Sequence, residues 1–314
     1  LGLAGFFFPF LGCAAAAHYV LGWDVMASWL GGVALSTTSV AVVYAVMIEY
    51  GLNKTEYGKT VLAACFINDL GTVLALGFIF APFTLRTLVF AVVAIAVFAA
   101  LPWVTPWFNR RFGNRPSEME IKFLLFCLLG LGALAGWADS EAVLPAYIIG
   151  MMLAGTVGKD HVLVRRMRAM TFGLMTPFYF IRAGAFVSIP ALIAAPFAFF
   201  FMLAAKMVTK FVGVYPVTRA FKTPNPEAMY TTLLMSTGLT FGKISSLFGL
   251  SHGIITQAQY SILVAGVIGS AVVPTLIANA FYLPHHLLPE PEPEQAATQT
   301  ASTTPLRPAA AKSE

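Results

Sequence analysis

Charged residues are scarce in this chain of 314 residues. Aspartate, glutamate, lysine and arginine together make up 11% of the sequence, and hydrophobic residues make up 58%. Soluble domains carry about 25% charged residues, and the mean hydropathy here is +0.79. These values exclude a water-soluble globular protein. The sequence therefore predicts an all-α polytopic membrane protein embedded in a lipid bilayer.

Cysteine is also rare, and the usual marks of a leader sequence are missing. Cys13, Cys65 and Cys127 lie inside apolar stretches, at spacings that fit neither a disulfide framework nor a metal site. We expect them to be small core residues. The chain opens LGLAGFFFPF, with no methionine and no charged segment before the apolar run. We therefore expect no signal peptide, and we expect that the chain lacks the beginning of its protein.

Long apolar runs predict about ten transmembrane helices, with bounds good to a few residues. The predicted spans are residues 1–22, 26–50, 57–80, 83–104, 121–137, 141–157, 171–188, 191–215, 226–250 and 257–281. Most of the basic residues fall in the loops on one side of this arrangement. The positive-inside rule makes that side cytoplasmic. The net charge of +5 is thus explained by topology, and no nucleic acid is expected as a partner.

The chain divides into a transmembrane domain, residues 1–282, and a tail, residues 283–314. The tail is rich in Pro, Ala, Thr and Glu, which cannot build a core, so we predict a disordered cytoplasmic tail. Within the domain, the span triplets in residues 1–80 and 191–281 enter the membrane from opposite faces. This is the arrangement of inverted-repeat transporters. Residues 83–188 supply the intervening helices.

One carboxylate, Asp69, lies near the centre of the apolar stretch 57–80. A carboxylate at the middle of a bilayer costs at least about 2.5 kcal/mol, so such residues usually serve a function and face a cavity or a partner. The alternative is a buried acid that only ties two helices together. We expect the ion chemistry at Asp69.

Two clusters of small polar residues reach mid-membrane depth from opposite sides. Each lies about ten residues into its span, roughly 15 Å deep. Such clusters either interrupt a helix at a binding site or bond back to the helix backbone in ordinary packing. The predicted helix breaks contain Ser36, Thr37, Thr38 and Ser39 in the span 26–50, and Ser236, Thr237 and Gly238 in the span 226–250.

Four basic residues lie inside spans. Lys206 and Arg182 are at nearly the depth of Asp69, so we expect either of them to pair with its carboxylate. Lys243 follows the second predicted break, where its charge could offset exposed carbonyls of a half-helix. For Lys210 and Lys243, snorkelling or facing an aqueous vestibule is an equal alternative.

Five stretches resemble the monovalent cation/proton antiporter superfamily. The residues after Leu35, STTSVAVVYAVMIEYGLNKTEYGKTVLAACFINDLGTV, resemble its discontinuous helix and the next helix with an Asn-Asp pair, here Asn68-Asp69. The segment STGLTFGKISSLFG resembles the second broken helix. The segments ADSEAVLPAYIIGMMLAG and TPFYFIRAGAFVS are similar to two intervening helices, and AAKMVTKF places Lys206 where many members keep a basic partner for the aspartate. Together these stretches cover most of residues 1–282.

The resemblance implies a secondary transporter, not an enzyme, that exchanges Na⁺ or K⁺ for H⁺ by alternating access and needs no cofactor. It also implies further N-terminal helices and a homodimer in the plasma membrane, the inner membrane if the source is bacterial. Asp69 would bind the cation, with Asn68, Thr37 and Thr38 as neutral ligands. Asn68, in place of a first aspartate, resembles the electroneutral branch of the family, whereas Lys206 resembles the electrogenic branch. Arg182 is not part of the family's sequence pattern.

Other functions remain open at this stage. Within transporters, the alternatives are a Kef-like K⁺/H⁺ antiporter and a sodium-coupled organic-anion carrier, although the sequence has no anion-binding cluster. An intramembrane aspartyl protease needs two deep aspartates, and only Asp69 is deep. A channel would need a polar stripe lining its pore.

Overall fold

The computed structural model describes residues 1–80, 84–112, 118–138, 140, 142–155 and 160–288. This part of the chain contains helices and no strand, so the protein is an all-α polytopic membrane protein, as predicted. The helices are α1 (Gly2–Tyr19), α2 (Val25–Ser36), α3 (Val40–Glu49), α4 (Glu56–Phe80), α5 (Leu85–Phe112), α6 (Met119–Trp137), α7 (Val143–Leu153), α8 (His161–Met170), α9 (Thr176–Ala185), α10 (Ile189–Ala194), α11 (Pro196–Ala220), α12 (Asn225–Met235), α13 (Thr240–Ser251) and α14 (Gln257–Phe281).

Eight helices in the described ranges are long and apolar enough to cross a membrane. Two of them, Val25–Glu49 and Asn225–Ser251, are interrupted and consist of α2 with α3 and of α12 with α13. The predicted spans 141–157 and 171–188 do not form helices of this kind. The first holds only the short helix α7, and residues 141, 156 and 157 lie outside the described part. The count of ten therefore stays a prediction.

The region predicted as the span 171–188 begins earlier than hydropathy indicates. Asp160 caps α8 by accepting hydrogen bonds from the backbone N–H groups of Val162 and Leu163. From there the helix runs through a π turn, Thr171–Met175, into α9. The charged residues of α8 lower the mean hydropathy of this first part, so a hydropathy window does not detect it. The sequence predicts that the tail begins at residue 283, but residues 283–288 are ordered: they include the 3₁₀ turn His285–Leu287, and Leu283, Leu287 and Leu288 pack against the hydrophobic core. The rest of the predicted tail lies outside the described residues.

Buried hydrophobic side chains fall into separate clusters. One cluster joins α1, α2, α11, α13 and α14, and a second joins α3, α4, α12 and α14. A third cluster holds α5, α6, α7 and α8 together. We call the helices of the first two clusters the broken-helix group, because they include α2, α3, α12 and α13. We call α5–α8 the intervening group. α4 and α7 are in contact where the two groups meet.

Candidate functional site

The two helix interruptions contact each other. α2 ends at Ser36 and α3 begins at Val40, with Ser39 as its N-cap. The Ser39 backbone N–H donates a hydrogen bond to the Thr237 carbonyl over 3.0 Å. The Thr38 hydroxyl donates to the carbonyl of Met235, the last residue of α12, over 2.8 Å. Backbone groups that a continuous helix would have satisfied are thus partly satisfied across the two breaks.

Both interruptions lie where the sequence predicts them, but most hydroxyls there bond to their own helix. Back-bonding of this kind is the common use of Ser and Thr in membrane helices. It uses the hydroxyl hydrogen and leaves the oxygen lone pairs able to bind a cation. The back-bonded pairs are Ser36 with Val33 O, Thr37 with Ala34 O, Ser236 with Thr232 O, and Thr237 with Leu234 O.

Asn68 and Asp69 lie in the middle of α4, next to the first break. The Asn68 side-chain oxygen accepts a hydrogen bond of 2.9 Å from the Thr38 backbone N–H, so α4 is tied to the break. Within the described part of the chain, the Asn68 amide nitrogen and the Asp69 Oδ1 atom are buried without a hydrogen-bond partner. Such orphaned groups are costly and rare, and they call for a functional explanation.

Lys210 is the basic residue that lies at the first break, and the predicted pairing of Lys206 with Asp69 is not observed. The Lys210 ammonium donates to the Thr38 hydroxyl over 2.8 Å and lies within Coulombic range of Asp69. The Lys206 ammonium instead donates to the Ser270 hydroxyl of α14 over 2.9 Å. It also lies against Gly238, where a Cβ atom would overlap its Nζ.

The other two predicted cations lie elsewhere. Arg182 is exposed on α9. The ion pairs among the described residues do not join it to Asp69, so its predicted competition for the carboxylate is not observed. Lys243 is buried in the first turn of α13, 4% exposed, just after the second break. Its predicted role in offsetting helix carbonyls stays a prediction.

Asp69 is 3% exposed and lines a cavity of about 430 Å³ between the broken-helix group and the intervening group. The neutral lining comes from four helices: Val40, Ala41 and Tyr44 of α3, Phe66 of α4, Tyr147 of α7, and Thr240 and Phe241 of α13. Arg168 of α8 completes it. None of the predicted neutral ligands lines this wall. Asn68 precedes Asp69 in α4 and bonds to Thr38, whereas the Thr37 hydroxyl lies near Gly238 and Gly242.

The sequence analysis assigned no role at Asp69 to three residues of the site, which are Lys210, Tyr147 and Arg168. Lys210 is one helical turn from Lys206, so both lie on one face of α11 and the sequence could not choose between them. The Tyr147 hydroxyl donates to the Phe66 carbonyl over 2.9 Å, one turn before Asp69. Nothing in the sequence marks Tyr147 or Arg168 as neighbours of Asp69.

The donor set suits a transported ion better than a resident metal. Across the described ranges, no three His, Cys, Asp or Glu side chains come together as a metal site would require. A single carboxylate with nearby hydroxyls and carbonyls offers hard oxygen ligands to a weakly held monovalent cation. That ion would be cargo.

Comparisons with known proteins identify the family. The sodium/hydrogen exchanger transmembrane family matches residues 1–281. Similar proteins include Cation/H(+) antiporter 18 of Arabidopsis thaliana, 24% identical over 266 residues, and a Na(+)/H(+) antiporter of Enterococcus hirae, 23% identical over 264 residues. A third is the glutathione-regulated potassium-efflux system protein KefC of Shigella flexneri, 25% identical over 254 residues.

These matches cover 81%, 80% and 76% of the chain. They span 33% of the Arabidopsis protein, 68% of the Enterococcus protein and 39% of the Shigella protein. Family membership rests on the match over residues 1–281, which takes in both helix interruptions, Asp69 and Lys210. The chain belongs to the sodium/hydrogen exchanger transmembrane family, a family of transporters rather than enzymes.

Proposed function

We propose that this protein exchanges a monovalent cation for H⁺ across a membrane, by alternating access at Asp69. The observation that carries the proposal is the Asp69 carboxylate, which is buried, has an unpartnered oxygen, lines a cavity and lies beside two helix breaks that touch. A group of this kind binds either a proton or a cation. If only the loaded forms cross the membrane, that exclusivity produces exchange.

The hydrogen bonds around the breaks support a moving unit built from the broken-helix group. Asn68 ties α4 to Thr38, and Ser39 ties the first break to the second through Thr237. Lys210 donates to Thr38, which in turn donates to the Met235 carbonyl at the C-terminal end of α12. Positive charge near this half-helix end is electrostatically favourable. Displacement of α4 would therefore carry both breaks with it.

Na⁺ is the proposed cation, and K⁺ is the alternative. The names of the similar proteins include a Na(+)/H(+) antiporter and a potassium-efflux system, so both ions are within the range of the family. We also propose that the transporter is a homodimer in the plasma membrane, the inner membrane if bacterial, with its C-terminus in the cytoplasm. A sodium-coupled organic-anion carrier is less favoured, because Arg168 is the single basic residue among the described residues that line the cavity, and it is exposed.

The test is exchange by the protein in liposomes, with internal pH and membrane potential followed together while Na⁺ or K⁺ is added outside. The wild type should move protons against the cation gradient, and Asp69→Asn should not. Proton movement without a voltage indicates one-for-one exchange, and a voltage indicates additional protons. Retained exchange in Asp69→Asn, at a melting temperature within about 2 °C of wild type, would refute the proposal.

A further inference from the structure

Arg168 of α8 lines the Asp69 cavity together with the first residues of α3 and α13, the half-helices that follow the two breaks. The cavity wall within the described residues holds two charged side chains, the Asp69 carboxylate and the Arg168 guanidinium. Asp69 is nearly fully buried and Arg168 is exposed. An ion that reaches the carboxylate through this cavity therefore passes a fixed positive charge.

The local structure of α8 explains why Arg168, rather than its basic neighbours, faces the cavity. Leu163 is buried in the cluster of the intervening group, which orients the helix. Arg166 lies on another face and forms an ion pair of 2.9 Å with Glu118. Arg165 is exposed and is not part of the cavity lining. The π turn that follows Met170 interrupts regular helix geometry, a feature often found at functional sites.

Arg168 keeps its charge at all relevant pH values, because a guanidinium does not lose its proton in proteins. No acidic side chain of the described part forms an ion pair with it. Asp69 is thus the carboxylate that shares its cavity. The other ionisable groups around Asp69 are Lys210 of α11, Cys65 of α4, Tyr44 of α3 and Tyr147 of α7.

We propose that Arg168 is an affinity-determining residue that weakens the binding of every cation at Asp69, protons included, through its positive charge at the cavity mouth. The inference rests on the proposed exchange and adds a regulator of the same site. Weaker binding favours ion release on the side of the membrane where α8 lies. The basic residues of α8 assign that side to the cytoplasm under the positive-inside rule.

The charge makes a specific quantitative prediction. Arg168 and Asp69 line the same cavity. For two unit charges separated by the width of such a cavity, on the order of 10 Å, in a medium between protein and water, Coulomb's law gives a change in binding of about twofold to tenfold. Arg168→Gln should lower the KM for the cation by this factor at pH values well above the titration of Asp69, with kcat changed little. At low pH, where protons compete, the KM should stay unchanged, because proton binding strengthens by the same factor.

The experiment measures cation KM against pH in liposomes for the wild type, Arg168→Gln, Arg168→Lys and Arg165→Gln. Arg168→Lys keeps the charge and should behave like wild type. Arg165→Gln removes the same charge from the same helix outside the cavity and serves as the matched control. Added choline chloride should shrink the difference between Arg168→Gln and wild type, because salt screens exposed charges.

An unchanged KM of Arg168→Gln at high pH overturns the proposal. So does an equal shift at low and high pH, an equal effect of Arg165→Gln, or a loss in kcat that Arg168→Lys shares, because these outcomes indicate a structural role. All of these outcomes can be measured only if the wild type exchanges ions. The absence of wild-type exchange would instead refute the proposed function itself.

Discussion

At the scale of single residues, Thr38 is the centre of the site. Its backbone N–H donates to Asn68, and its hydroxyl accepts from Lys210 and donates to the Met235 carbonyl. All of these groups are buried. One side chain thus connects α11, α12 and the break beside α4.

Thr38→Val should lower the free energy of unfolding by about 2–3 kcal/mol, because it leaves a buried ammonium and a buried carbonyl without their partner. Thr38→Ser keeps the hydroxyl and should recover most of this loss. The measurement is thermal denaturation in detergent. The control is Thr60→Val, which removes a hydroxyl that bonds only to the Glu56 carbonyl on an exposed turn. Equal melting temperatures for Thr38→Val and wild type would contradict this account.

The sequence predicted the carboxylate but not its basic neighbour. A lone acid in an apolar stretch stands out by its cost, so Asp69 could be identified without a structure. Lys206 and Lys210 are four residues apart, about 6 Å along the helix axis. The predicted end of their helix, residue 215, is five residues short of its actual end at Ala220. A depth estimate with that error cannot decide which lysine meets Thr38.

At the scale of elements, the broken helices are held by close packing around glycine. A Cβ atom added at Gly242, in the first turn of α13, would lie 2.7 Å from the Ala34 carbonyl oxygen of α2 and 3.1 Å from the Thr37 hydroxyl oxygen. Backbone atoms cannot move aside as a flexible side chain can. α13 can therefore lie this close to α2 only with glycine at this position.

Gly242→Ala should push α13 away from α2 and destabilise the protein by about 1–3 kcal/mol. It should also reduce exchange, since Gly242 lies directly after the second break, residues 236–239. Gly130→Ala in α6 is the matched control, because no atom lies within 4 Å of an added Cβ there. That change should be neutral or stabilising by up to about 1 kcal/mol. A stability of Gly242→Ala equal to that of Gly130→Ala would contradict the packing argument.

Element positions were predictable where the polar pattern is local. The Ser-Thr clusters marked both interruptions, since Ser39 caps α3 and Ser236 is the C-cap of α12. The helix from His161 to Ala185 was not predictable in full, because its first part is amphipathic and its π turn has no sequence signal. As a result, the sequence treated Arg168 as a loop charge, and its place in the cavity was missed.

At the scale of the whole molecule, the cavity between the broken-helix group and the intervening group is the route that we propose for ions to reach Asp69. Ala41 of α3 lines this cavity and is exposed, whereas Val43, two residues later, is buried. Native Cys13 and Cys65 are buried, and Cys127 is partly exposed. These differences in exposure allow the cavity to be probed by labelling an introduced cysteine.

In a Cys127→Ser background, Ala41→Cys should react with a membrane-impermeant maleimide, because the cavity admits water. The matched control Val43→Cys should not react. Saturating Na⁺ should slow the labelling of Ala41→Cys if the ion occupies the cavity beside it. Labelling from only one face of the membrane would identify the side on which this conformation is open. Failure of Ala41→Cys to react from either face would contradict a water-filled route.

Proton release on cation binding tests the central claim most directly, since that claim is exclusive binding at one carboxylate. Purified protein in weakly buffered detergent solution is titrated with Na⁺ or K⁺ while pH is followed, at several starting pH values. The account predicts release of up to one proton per chain from Asp69, with release falling at high pH, and none from Asp69→Asn. Equal release by Asp69→Asn, or no release by the wild type with either ion at any pH, would contradict it.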